Sequence, residues 1–168
     1  MAYLLDANVF IQAKNLHYGF DFCPAFWEWL DLANTKHTVL SIENVRTELL
    51  GGSDELATWA AQHGSSFFIA LDAAMVPSIR AMTSWAMTAG YEQGAVNLFL
   101  QVADSYLVAC AHALGYIVVT HERPSASTKK IKIPDACLGM SVRFMSPFEM
   151  LRAERARFVL GSPPAVSS

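Results

Sequence analysis

The chain has 168 residues, is 53% hydrophobic and 16% charged, and carries a net charge of −3 with a mean hydropathy of +0.27. That is long enough for one domain with a full core, too acidic for a global basic field that recruits nucleic acid, and apolar enough to suggest a buried interface besides the core. No apolar run reaches the ~18 residues a membrane span needs; Asp72 interrupts the richest candidate, Phe67 to Val76.

Tyr3-Leu4-Leu5 is an apolar run that stops at Asp6, and a second run begins after Asn8. This reads as a buried strand followed by a helix start, with Asp6 either a helix cap or the first member of an acidic site. Pro24 to Ala33 reads as a helix, with Phe26, Trp27, Leu30 and Ala33 on one face. His37 to Ser41 is a short second strand. Ser41 is expected to cap a helix over Ile42 to Leu50, ended by Gly51-Gly52. Glu48 falls in the last turn of that helix, where a carboxylate opposes the helix dipole. Ser53 or Asp54 is expected to cap another helix up to His63. Phe67 to Leu71 reads as a strand or as an extended segment outside the sheet.

Ser78 to Ala89 and Gly94 to Leu100 read as helices. The Met82/Trp85 face of the first reads as core, with a groove for a partner protein or a second copy as the alternative. Ala103 to Leu114 carries the clearest helical periodicity, with Asp104 in its first turn and Gly115 as its stop. Tyr116 to Thr120 is a continuous apolar strand, the pattern of a central parallel strand covered on both faces. After Glu122 comes a polar loop with Lys129, Lys130 and Lys132, then Ile133-Pro134-Asp135. Val142 to Met145 reads as a last strand. Ser146-Pro147-Phe148-Glu149 has the form of a capping box that opens a final helix. Residues 1–160 are expected to form the folded domain, and Gly161 to Ser168 a disordered Pro/Ser tail. Strands alternating with helices predict a parallel α/β sandwich.

The N-terminus has no basic flank, and Asp6 interrupts it, unlike a signal peptide. Cys23, Cys110 and Cys137 are widely spaced and form no C-x-x-C pair, which suits reduced thiols and a cytoplasmic location.

Four acids recur in equivalent kinds of place. Asp6 and Glu122 follow apolar strands, Asp104 opens the helix that leads into the second of these, and Glu48 follows the second strand. Parallel neighbouring strands would bring them to one edge, where carboxylates repel unless a cation sits among them. An oxygen donor set without a His/Cys cluster favours Mg²⁺ or Mn²⁺ over Zn²⁺. Such a cation can polarise a phosphodiester and lower the pKa of a bound water.

The motifs Leu5-Asp6-x-Asn8-Val9-Phe10, Val45-x-x-Glu48-Leu49, Ala103-Asp104-x-x-Leu107-Val108-Ala109-x-Ala111 and Val118-Val119-Thr120-x-Glu122 occur in an order that resembles a PIN domain. The resemblance spans residues 3 to 150, roughly. It implies a three-layer α/β/α sandwich around a mainly parallel sheet of about five strands. It also implies a Mg²⁺- or Mn²⁺-dependent endoribonuclease, in bacteria commonly the toxin of a VapC-like toxin–antitoxin pair. The partners are then an RNA substrate, an antitoxin protein and, as a further reading, a second copy of the chain. Carried over by motif, Asp6, Glu48, Asp104 and Glu122 are the four metal-binding acids, with Asn8 and Thr120 in support. Lys129, Lys130 and Lys132 are candidate RNA contacts beside the site.

The chain departs from the pattern in three ways. Glu122 stands where aspartate is usual, so Asp135 is an alternative or additional fourth acid. The loop after Glu122 is long and basic, and the stretch between Gly52 and Leu100 is longer than a minimal toxin requires. These mark a divergent subfamily. Two rival functions share the acids: a structure-specific DNA nuclease and a non-catalytic binding module.

Overall fold

The computed structural model describes residues 1–161; the expected tail lies outside them from residue 162 on. Five strands form one sheet: β1 (Tyr3–Leu5), β2 (Val39–Ile42), β3 (Phe68–Ile69), β4 (Ile117–Val119) and β5 (Phe144–Met145). The order is β3-β2-β1-β4-β5 and every pair is parallel. β1, β2 and β4 are buried at every position, as continuous apolar runs in a sheet covered on both faces require. The sheet is the parallel one anticipated, with β4 an interior strand between β1 and β5 as its apolar run predicted.

The handedness of parallel crossovers places the helices. From β1 the chain moves outward to β2 and β3 through α1 (Ala7–Gln12), α2 (Pro24–Thr35), α3 (Glu43–Leu50) and α4 (Glu55–Gln62), which puts these on one face. From β3 it returns past β1 to β4 through α5 (Val76–Thr88), α6 (Gln93–Gln101) and α7 (Ala103–Leu114), on the opposite face. The step from β4 to β5 runs in the same direction, so α8 (Ile133–Gly139) joins that second face, where it packs on α5 and α7. α9 (Pro147–Ala153) follows β5. The result is the three-layer α/β/α sandwich expected.

The core is continuous through the sheet. Leu4, Leu5, Val118 and Val119 are sealed at its centre, with Phe10, Phe26, Phe67 and Phe68 among the α1–α4 elements. Met82 is buried, as its helix face predicted, while Trp85 is only partly so. Trp85 lies over Gly139 of α8, where an added Cβ would overlap the indole ring. Among the described residues no single helix is long and apolar enough to cross a membrane.

Two local expectations need correction, and one open alternative is resolved in favour of a strand. Ser41 does not cap α3. It lies inside β2, and its buried hydroxyl donates to the Leu5 carbonyl at 2.7 Å; Ile42 is the N-cap. Phe68–Ile69 belongs to the sheet as its edge strand, so the reading of an extended segment outside the sheet is set aside. The stretch from Ile133 was read as loop, yet it is α8, which buries Ile133, Ala136 and Cys137. Elsewhere the local signals hold. Asp54 caps α4 by accepting from the Ala57 amide, α7 spans Ala103–Leu114 as predicted, and the Ser146–Glu149 capping box is complete.

Candidate active site

The strand order reverses between β1 and β4: the chain leaves β1 toward one edge and β4 toward the other. In open parallel sheets the crevice outside the strand carboxyl ends at such a point is where ligands bind. Asp6 sits there, immediately after Leu5, and is 2% exposed. It occupies the N-cap position of α1, but its side chain makes no capping hydrogen bond. Its Oδ2 instead accepts from Thr120 Oγ1 at 3.0 Å. Register explains the pairing. Leu5 is opposite Val119, and the Asp6 amide donates to the Val119 carbonyl at 3.0 Å, so Thr120 is the residue beside Asp6. Thr120 Oγ1 in turn accepts from the Glu122 amide at 3.1 Å.

The other acids reach the same place from helices on opposite faces of the sheet. α3 and α7 touch each other, which brings Glu48, near the end of one, toward Asp104, in the first turn of the other. A cleft of about 610 Å³ opens between them, walled by Glu48, Asp104 and Glu122 and by the apolar Leu98, Phe99 and Val102. Asn8, Lys129 and Lys130 complete its polar rim.

Electrostatics tie the four acids together. Burial pushes the Asp6 carboxyl up to about 7, reinforced by the charges of Asp104, Glu122 and Glu48 and opposed by the Thr120 hydrogen bond. Asp104 is pushed up to about 6, first by burial and then by Glu122 and Glu48, with Lys130 and Lys132 pulling the other way. A helix N-terminus favours a carboxylate, but at Asp104 desolvation and like charge outweigh it. Glu48 is exposed as a residue, yet protein crowded around its carboxyl raises its pKa too.

Glu122 differs from the others. Its Oε1 accepts from Lys132 Nζ at 3.0 Å and its Oε2 from the Ile133 amide at 2.8 Å, with Lys130 Nζ 3.9 Å from Oε1. None of the ion pairs among the described residues involves Asp6, Glu48 or Asp104. Asp135 lies on α8 outside the cleft, where its carboxylate accepts from the Ser125 amide at 3.0 and 3.3 Å. Thr120 stands in direct support of Asp6; Asn8 lines the cleft.

The donor set can be tested against a divalent cation. It is all oxygen, it is acidic, and the neighbouring acids help to raise the pKa of Asp6 and Asp104, so a hard cation would relieve the repulsion. Among the described residues no group of three or more His, Cys, Asp or Glu side chains is placed to hold a metal ion. By donor chemistry alone the set suits a hard cation such as Mg²⁺ rather than Zn²⁺.

Sequence reasoning passed over Asn44 and Thr47, which line the same cleft from α3. Asn44 lies four residues before Glu48, one turn along the same helix face. That spacing was available as a signal. The pairing of Glu122 with Lys132 was not, because it depends on the path of an irregular loop.

The family described as "Domain of unknown function (DUF4411)" matches residues 3–158. The chain belongs to the DUF4411 family. No curated protein sequence matches it. Among solved structures it is similar to a chain described as "VapBC2 from Rickettsia felis bound to a DNA fragment from their promoter". The similarity has a TM-score of 0.55 at 17% identity and covers 87% of this chain and 98% of that one. This DUF4411 chain thus has a divergent PIN-like fold.

Proposed function

We propose that this DUF4411 protein is a Mg²⁺- or Mn²⁺-dependent endoribonuclease that hydrolyses RNA phosphodiester bonds, and that it is the toxin of a toxin–antitoxin pair. One observation carries the reading: Asp6, Glu48, Asp104 and Glu122, from four separate segments, perturb one another or share one cleft at the reversal point of the sheet. Mutually repelling carboxylates are unfavourable unless something offsets them, so they mark a functional site.

Asp6, Asp104 and Glu48 would hold the cation. When bound, it polarises the phosphodiester and lowers the pKa of the attacking water. Thr120 fixes the Asp6 carboxylate through its hydroxyl. Lys129 and Lys130 at the rim offer positive charge to the RNA backbone. The apolar wall of Leu98, Phe99 and Val102 excludes water from one side of the cleft and strengthens the charge interactions inside it. The antitoxin assignment draws support from the likeness to VapBC2 from Rickettsia felis.

The test is cleavage of RNA by the purified chain, with single-stranded and branched DNA run alongside. Cleavage of RNA that needs Mg²⁺ or Mn²⁺, stops with EDTA and is lost in Asp104→Asn is the expected result. Cleavage of DNA alone would replace the reading with a DNA nuclease. Absence of both cleavage and cation binding would leave a non-catalytic module.

A further inference from the structure

Beside the acidic cleft lies a second groove of about 400 Å³, at the ends of β4 and β5. Thr120, His121, Glu122, Arg123, Met145 and Phe148 are among its lining residues. Glu122 lines both cavities, so they meet at the acids. Two of its lining rings, His121 and Phe148, meet a third, His17, from a distant segment. The His17–Phe148, His17–His121 and His121–Phe148 centroids are 5.2, 5.5 and 5.7 Å apart. A cluster that served only to pack α9 against the sheet would be covered. Here Phe148 remains 36% exposed, and the exposed Arg123 lines the same groove, with Glu149 near its charge.

Aromatic rings next to a cationic side chain are what single-stranded nucleic acid binds, bases stacking on the rings and phosphates meeting the charge. A groove of this size falls within the ~300–1,000 Å³ that small-ligand sites occupy, which is room for one nucleotide rather than a duplex. Bases in an A-form duplex are stacked inside and cannot reach a side wall, whereas an unpaired base can be splayed out onto it.

We propose that this groove is a nucleobase subsite that takes one unpaired base of single-stranded RNA adjacent to the phosphate in the acidic cleft. The base stacks on the His121–Phe148 wall and Arg123 meets the neighbouring backbone phosphate. The inference rests on the ribonuclease reading and deepens it, because it gives one base beside the acidic cleft a place of its own.

The test is equilibrium binding of a short fluorescent single-stranded RNA to the full chain in metal-free buffer, where no cleavage depletes the probe. Phe148→Leu and His121→Leu keep apolar volume and remove the ring. Each is expected to weaken binding about tenfold, the scale of one base–aromatic stack, while Phe148→Tyr binds as the parent does. With abasic residues placed at successive positions, one position should make binding indifferent to Phe148→Leu. The matching RNA duplex should bind more weakly than the single strand. Leucine variants that bind intact and abasic RNA as the parent does overturn the subsite, as does failure to bind any RNA. Should such variants still cleave RNA, the nuclease reading stands alone. Ring-dependent binding without cleavage by the parent would keep the subsite and remove the nuclease.

Discussion

Asp6 and Glu122 stand at the ends of neighbouring parallel strands, joined by one threonine, and they meet opposite fates. Asp6 is buried with a single hydroxyl donor and the field of three other acids. Glu122, two residues beyond the partner of Asp6, has an ammonium on one oxygen and a backbone amide on the other. A carboxylate at a strand end is poised for a cation only when the protein itself leaves it unneutralised. By that measure Asp6, Asp104 and Glu48 are the candidates for a cation. Glu122 already has its counter-charge and holds the lysine loop over the cleft. The four acids that share a motif order divide into three left without a counter-charge and one already paired with Lys132.

The largest effects should come from the unneutralised side. Asp6→Asn and Asp104→Asn are each expected to lower the RNA cleavage rate at least ~100-fold, as removal of one preorganised charge-stabilising group does. Both should at the same time raise the melting temperature of the cation-free protein at neutral pH, because one like charge is gone. Full cleavage by both purified variants would end the metal-site assignment. A fall in melting temperature would show that the carboxylates stabilise the fold rather than strain it.

pH sharpens the same contrast. Asp6 and Asp104 sit near 7 and 6, both raised from an ordinary 3.8. The folded chain therefore holds protons there that the unfolded chain has lost. The stability these carboxyls contribute without cation is complete below about pH 4 and disappears as pH rises through 6 and 7. Cation binding runs the other way, since the ligands must be deprotonated. Mn²⁺ affinity should drop about tenfold per pH unit below these values for each proton displaced. Melting curves across pH 4.5–8 with EDTA or Mn²⁺, a range set by these shifts, read both. Curves that coincide with and without Mn²⁺ would mean no cation enters the cluster.

Glu122→Gln should be milder and different in kind. It removes the anchor of Lys132 while Asp6, Asp104 and Glu48 remain. The expected result is a rise of about three- to tenfold in KM for RNA, from looser lysine placement, with the Mn²⁺-induced melting shift kept. Lys132→Met should give the same change, and the double variant little more, because the two act as a unit. A loss of Mn²⁺ binding as large as that of Asp104→Asn would erase the distinction and make Glu122 a ligand.

How much of this was legible in the sequence follows from how local each feature is. α7 was read to the residue because its apolar stripe is long and Gly115, at φ 69°, ends it in the left-handed conformation that glycine adopts without strain. The positions of Asp6 and Glu122 after apolar strands were likewise local. Ser41 carried a cap signal that lost to register, since β2 lies beside β1 and puts its hydroxyl against the Leu5 carbonyl. α8 was missed because it is seven residues long and opens with Lys132, Ile133 and Pro134 after a polar loop; its four buried residues say little before α5 and α7 are in place. The partners of Glu122 depend on the fold of that loop, and so does the division among the acids.

Thr120 joins the two carboxylates, and it should give the smallest and most diagnostic effect. Its hydroxyl donates to Asp6 and accepts from the Glu122 amide, so it uses both hydrogen-bonding capacities within one register step. The donated bond favours the charged form of Asp6 and is the contribution that opposes burial there. Thr120→Val keeps the shape and deletes both bonds. Each is worth about 0.5–1.5 kcal/mol, so the pH at which Mn²⁺ binding is half lost should move upward by up to ~1 unit. Thr120→Ser should restore it. Because Lys132 and the Ile133 amide still hold the Glu122 carboxylate, KM should change less than in Glu122→Gln. A midpoint that stays in place while KM rises would show that the threonine serves the lysine loop, and that Asp6 is charged for the cation without its help.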